Sequence, residues 1–315
     1  MDLNIFFSVL TLLGKPALTA YLLILITLTI TTILFFIYLL VRFNLYSLII
    51  NYIFINLSTK ICVRIRGYQA TFLLLSIMLI GGERACGAGQ VTHFYLADRY
   101  LAHKPKNYTE AERRSFMLGT LFPDIRYLAK IAREKTHEKN VTLEDVQQAA
   151  SPFSAGMKFH SFVDLERIRL VREWKSLDVL LGEVKEHRIA FLKLLEDEIL
   201  FDQTHFGDIA ALFAQVLPEE LASGIPPATV ERWHHLLMGA CMHKPSVLVA
   251  RAASGGASAF GIPSAILQVW GRQLPLEASK QIMKDYVRKL TNEFQQMFQT
   301  FLRGQENHAT AQEVH

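Results

Sequence analysis

The sequence predicts an all-α fold: a compact multi-helix bundle preceded by N-terminal transmembrane or signal-like helices. Three observations predict it. Residues before about position 83 are almost wholly apolar, whereas those after it carry charge like an ordinary soluble protein. From Val91 onward apolar residues recur at helical spacing, and almost no stretch alternates as a half-buried strand would. Helix start and stop residues, among them Thr109, Pro123, Thr142, Pro152 and Gly224, divide that region into segments of helix length. The expected parts are a hydrophobic region over 1–82, a helical domain over 89–303 and a disordered tail over 304–315.

The run "PALTAYLLILITLTITTILFFIYLLV", residues 16–41, contains no charge and exceeds the ~20 residues that span a bilayer. It predicts a transmembrane helix. Residues 45–57 are shorter and carry Asn51 and Asn56, which suits either an interfacial helix or the return arm of a hairpin. Next, Lys60, Arg64 and Arg66 precede the apolar "ATFLLLSIML" and the small residues of "GGERACGAG". Over residues 60–88 this is the basic, apolar and cleavage-region order of a secretory signal. Its place inside the chain suggests translation from near Val63, with the first ~60 residues an upstream extension. The basic loop from Arg42 to Arg66 prefers the cytoplasm, so the domain after Gly82 is expected outside it, membrane-anchored or secreted.

Within the domain, "THFYLADRYLAH" is amphipathic. "YTEAERRSFMLGTLF" opens on Thr109 with Glu112 three residues on, a capping box, and breaks at Gly119 and Pro123. "TLEDVQQAA" opens on Thr142 in the same way. A long helix follows Ser151, with Pro152 near its start. Residues 182–217 hold one or two more, and "ATVERWHHLLMGACM" another. "ARAASGGASAFGIPS" reads as a small-residue loop. Ala259 to Trp270 is apolar enough for a core helix or a lipid contact, and Leu276 to Leu302 predicts a final amphipathic helix.

A net charge of +4 without a basic stripe, and no basic groove interleaved with aromatics, argue against a nucleic-acid partner. Three scattered cysteines exclude a disulfide framework or a thiolate zinc site. A metal here would have nitrogen and oxygen ligands. His160 and Asp164, four apart on one helix face, suit either two ligands of a divalent ion or a surface pair; the flanking Phe159, Phe162 and Val163 favour burial. Asp124 sits at a helix junction, where it suits an inward carboxylate or a cap. His93 and His137 stand alone in their segments. His234 and His235 are adjacent, so they point in different directions and read, with His243, as structural or surface residues.

In order, the chain offers Thr92–His93, "FMLGTLFPDI", Thr136–His137 and "GMKFHSFVD" ending at Asp164. Over roughly Cys86 to Asp202 this series resembles the zinc-dependent phospholipase C family and its relatives, the zinc-dependent single-strand nucleases. The resemblance implies one zinc held by Asp124, His137, His160 and Asp164, with Asp124 or Asp164 as general base. It implies a further zinc on His93 and the amino group freed by signal cleavage, although Cys86 stands where that family begins with Trp. A remaining zinc would match Glu198 and Asp202, but Leu194 replaces its histidine, and no histidine follows Asp164 closely. Glu166, His187 and His205 are the nearby substitutes. Arg126 and Arg133 suit either forked hydrogen bonds to the phosphate or a solvated helix face.

The expected function is a metal-dependent phosphoric ester hydrolase, acting on a phospholipid or other phosphodiester at a membrane. The alternative is a catalytically degenerate helical protein that binds or builds at the membrane.

Overall fold

The computed structural model describes residues 20, 23–35, 38, 87–103, 108–174, 181, 184, 186–254 and 262–312. The signal-like segment up to Cys86, and residues 16–19, 21–22, 36–37 and 39–41 of the predicted 16–41 span, lie outside the described residues. The chain divides into two units, Met1–Ile65 and Arg66–His315.

In the first unit residues 23–35 are helical, and Leu23, Ile26, Leu28 and Phe35 are exposed. Thr27, Thr29, Thr31 and Thr32 each donate a hydroxyl to the carbonyl four residues back, so the polar atoms close on the helix itself. Among the described residues no helix is long and apolar enough to cross a membrane.

The second unit is helical, and no β-strand occurs among its described residues. Its helices are α1 (Gln90–His103), α2 (Glu110–Leu121), α3 (Arg126–Ala129), α4 (Leu143–Gln147), α5 (Pro152–Glu173), α6 (Arg188–Phe201), α7 (Ile209–Leu212), α8 (Pro218–Ala222), α9 (Pro227–Met242), α10 (Pro245–Ser254), α11 (Ser264–Ser279) and α12 (Gln281–Gln312). Single 3₁₀ turns occupy Pro123–Ile125 and Arg133–Lys135.

Capping forms as the sequence predicts. Thr109 Oγ1 accepts from Glu112 N while Glu112 returns a carboxylate to Thr109 N, and Thr142 does the same with Asp145. α2 does not break at Gly119 but runs through it to Leu121, because Gly119 serves packing rather than termination. A Cβ on Gly119 would strike the Phe153 carbonyl, and one on Gly156 would strike the Phe116 carbonyl. α2 and α5 therefore cross backbone to backbone. Rings of Tyr100, Phe116, Phe159 and Phe298 pack around this crossing, mostly tilted or edge-on, and tie α1, α2, α5 and α12 into one core.

α6 contacts α1, α10, α11 and α12, and its run Glu196–Asp197–Glu198 is buried throughout. Successive residues on a helix point about 100° apart, so each carboxylate meets a different element. Glu196 takes two hydrogen bonds from Arg167 of α5 (2.6 and 2.9 Å) and one from the Tyr286 hydroxyl of α12 (2.6 Å). Asp197 accepts from Thr92 N (2.9 Å), Thr92 Oγ1 (2.7 Å) and Val91 N (3.3 Å) at the start of α1. Glu198 accepts from Ser246 N (2.8 Å) and Oγ (2.7 Å) at the start of α10. Two helix N-termini thus receive carboxylates from a neighbour, which satisfies their free N–H groups and their partial positive charge.

The C-terminal third departs from expectation. The predicted loop begins as α10, which continues to Ser254. Ala259 to Trp270 leads into α11, whose Leu267, Trp270 and Leu274 are buried in the core. The final amphipathic stretch is divided between α11 and α12, and α12 extends to Gln312 through part of the tail expected to be disordered. After Gly304 that tail holds Gln, Glu, Asn and Ala with no proline, so nothing stops the helix.

Candidate metal centre

Five side chains meet between α1, α5 and the turns after α2: His93, Asp124, His137, His160 and Asp164, all buried at 6 % exposure or less. Each is placed by its own local structure. Asp124 lies in the 3₁₀ turn that Pro123 begins, held by buried Phe122 and Ile125 on either side. His137 follows the Arg133–Lys135 turn and, despite its charged neighbours in sequence, is buried. His160 and Asp164 occupy one face of α5, and His93 stands in the first turn of α1.

His137, His160 and Asp164 bring ligand atoms together, with Asp124 beside His137. His137 Nε2 and His160 Nε2 are 3.1 Å apart, with Asp164 Oδ2 at 3.6 Å from the first and 3.7 Å from the second. Asp124 Oδ1 is 3.9 Å from His137 Nε2. A tetrahedral ion with ligands at ~2.0–2.2 Å separates them by roughly 3.3–3.6 Å, so these spacings bracket such a site. Two overlapping groups can hold a metal ion: His93, His160 and Asp164, and Asp124, His137 and His160.

Hydrogen bonds around the group set its protons. His160 Nδ1 is 2.8 Å from the Thr120 carbonyl, which only accepts, so Nδ1 carries the proton and Nε2 presents its lone pair inward. His137 Nδ1 is 2.9 Å from Thr136 Oγ1. Both overlapping groups need His160 Nε2, and one lone pair serves one ion. They are alternative settings of a single site. His93 stacks on His160 with ring centroids 3.8 Å apart and reaches Asp164 Oδ1 at 3.2 Å. Its Nδ1 is buried without a partner among the described residues.

Burial holds His160 well below its ordinary pKa and lowers His137 to about 4, so both rings are neutral at pH 7. Burial opposes charge on Asp164, yet His160 and the hydrogen bond from His93 hold its carboxyl well below the usual range. Asp124 is lowered likewise, with Lys193 the strongest opponent of burial, then His160 and His137. Ala88 N donates to Asp164 Oδ1 at 2.9 Å, and Gln90 Nε2 donates to Asp124 Oδ2 at 2.7 Å. Gly87 lies so close to Asp164 that any Cβ there would collide with the carboxylate.

The remaining predicted residues divide. Arg133, about two-fifths exposed, donates from Nη2 to Asp164 Oδ2 at 2.8 Å. Arg126 lies over the ring of Tyr127, 3.7 Å from its centroid. Glu198 binds Ser246 and Asp202 pairs with Lys244 at the surface, so neither carboxylate joins the group. Asp197, one residue earlier and about 100° around α6, turns instead toward α1. Glu166 pairs with Arg169, His205 is exposed and His187 packs against Trp270. His234 is buried on Glu220 at 2.7 Å while His235 is exposed, as their adjacency implies.

Sequence reasoning missed Gln90, Thr120, Asp197 and Lys193. The last is buried at 5 % exposure on α6, one turn before Asp197. A lysine inside the apolar run "RIAFLKLLEDEIL" was the available signal. Compared with known protein families, curated proteins and solved structures, the chain matches none of them.

Proposed function

We propose that the chain is a zinc-dependent phosphoric ester hydrolase, phospholipase C-like, acting on a phospholipid or related phosphodiester outside the cytoplasm. The observation that carries the reading is the buried cluster of Asp124, His137, His160 and Asp164, in which Asp124, His137 and His160 bring ligand atoms within 4.8 Å of one another. Arg133 and the neutral donors Ala88 and Gln90 meet these carboxylates from one side, and a cation among the group would offset the rest of their charge. Two nitrogens and two oxygens suit zinc. A zinc ion held there would lower the pKa of water toward ~7 and polarise a phosphoryl oxygen.

The chain's own residues supply the rest. Asp124 Oδ1 accepts no hydrogen bond among the described residues, so it is free either to ligate the ion or to take the proton from an attacking water. Asp164 is held on both oxygens, by Ala88 N and His93 on one side and Arg133 on the other, so its part is to orient. Arg133, the most exposed group at the centre, can leave Asp164 for a phosphate oxygen. A lipid substrate fits the apolar helix over residues 23–35, whose hydroxyls bond internally and leave hydrocarbon outward.

The second reading is a metal-stabilised helical protein without catalysis, favoured by Arg133 sitting on Asp164 and by the depth of the group. One experiment separates the two. Zinc content of the full-length protein is measured beside His160→Ala and Asp124→Asn, with hydrolysis of bis(p-nitrophenyl) phosphate and phosphatidylcholine vesicles. Losing an outer hydrogen-bond partner costs ~10–100-fold in metal affinity, so losing the His160 ring should cost at least that much. Zinc with hydrolysis supports the enzyme, zinc without hydrolysis the second reading, and a wild type that takes up no zinc removes both.

A further inference from the structure

Across α1 from the metal centre lies a cleft of about 650 Å³, bounded by α6, the start of α10, the end of α11 and the first half of α12. Tyr95 borders it, two residues on from His93 and so about 200° around the helix. The volume falls within the ~300–1,000 Å³ of small-molecule sites, but the lining is unlike their usual apolar walls. Lys244, Lys284 and Arg288 supply three cations, and Asn292 and Gln295 add neutral hydrogen-bonding groups. Two carboxylates share the lining. Glu198 is buried and held on both oxygens by Ser246, so its charge is met at the start of α10. Asp202 pairs with Lys244 at 2.5 Å, and Arg288 holds Asp285 at 2.7 Å. Both are exposed pairs, which add little to stability and give way to a stronger acceptor. Lys284 adds a charge that neither aspartate answers.

Two apolar side chains stand beside this charge. Leu276 follows Pro275 and Ile282 follows Gln281, both lining residues, and the two are 64 % and 49 % exposed. They flank the turn that joins α11 to α12, with Lys280 between them in sequence. A soluble anion would use the cations and leave these side chains in water. A phospholipid would use both, with its phosphate in the cleft and its hydrocarbon against Leu276 and Ile282. We propose that this corner is a docking site for an anionic phospholipid. Lys244, Lys284 and Arg288 hold the head-group phosphate, Arg288 by forked hydrogen bonds, while Leu276 and Ile282 enter the acyl layer. No residue of the metal centre lines the cleft, so the site stands apart from that centre and does not rest on it.

The test is lysine footprinting of the full-length protein on vesicles of phosphatidylcholine alone or with about one-third phosphatidylglycerol. Any affinity of the apolar N-terminal residues for a bilayer is common to both vesicles, so the difference reports on the corner. Brief acetylation and peptide mass spectrometry should show Lys244 and Lys284 shielded at least ~threefold by the anionic vesicles, with exposed Lys139 unchanged. Leu276→Gln combined with Ile282→Gln, at two exposed positions, should remove that shielding. Equal labelling on the two kinds of vesicle overturns the proposal. So does shielding by glycerol phosphate in solution that the double variant keeps, which assigns the cleft to a soluble phosphate. Should the double variant not fold by circular dichroism, wild type decides alone. Shielding by the anionic vesicles only then supports the docking site, and equal shielding by glycerol phosphate at the same concentration overturns it. Zinc has no part in the measurement, so either result leaves the metal reading to its own test.

Discussion

A single main-chain oxygen decides what His160 can do. The Thr120 carbonyl holds the Nδ1 proton, and that leaves Nε2 as a ligand atom rather than a donor. The same side chains predict how the metal-free protein answers acid. His137 is neutral when buried, with its pKa lowered from 6.5 to about 4, and His160 is shifted the same way. The unfolded chain therefore binds protons that the folded one refuses. Their stabilising contribution is complete above about pH 6.5 and is lost as pH falls toward 4. His137 alone accounts for up to about 3 kcal/mol of that loss. Asp197 opposes it in part, since burial raises its carboxyl. Urea midpoints of the metal-free protein should fall steadily between pH 7 and 4; a flat profile would contradict the buried neutral rings.

The α2–α5 crossing is the element on which the site depends, because it brings Thr120 to His160. In Gly156→Ala the new methyl meets the Phe116 carbonyl, the Thr120 nitrogen and Gly119, all backbone that cannot rotate away. The helices must part, at a cost of about 1–3 kcal/mol. The expected result is a lower melting temperature together with weakened zinc binding in protein that circular dichroism still reports as folded. Alanine in the open position of Gly304, where nothing lies within 4 Å, should do neither. The contrast also shows where sequence reading ends. Capping at Thr109 and Thr142 is local chemistry within four residues, and it was legible. So were His160 and Asp164, whose spacing is a property of one helix. Gly119 read as a breaker because a glycine that ends a helix and one that admits a neighbour look alike without the neighbour. In "LLEDEIL" three acids stand in a row, and only the elements packed around α6 distinguish them.

At the scale of the whole molecule, the centre joins α1, α5 and the turns after α2, which are far apart in sequence. Metal binding there is folding free energy, since the unfolded chain holds no such group. With free zinc a hundredfold above its dissociation constant, the stabilisation is about 2.7 kcal/mol. For a domain of this size that raises the melting temperature by about 5–10 °C. Chelation should reverse the shift, and His160→Ala should abolish it; scanning calorimetry with zinc and with EDTA reads both.

The acidic triplet on α6 carries a consequence of its own. Glu196 answers to a guanidinium and a phenol, Asp197 to one helix start, and Glu198 to another. Rotating that rod by one notch would offer each charge to the wrong lock and strand three at once. The triplet thus works as a key with a single admissible angle, and it sets the azimuth at which Lys193 enters the interior.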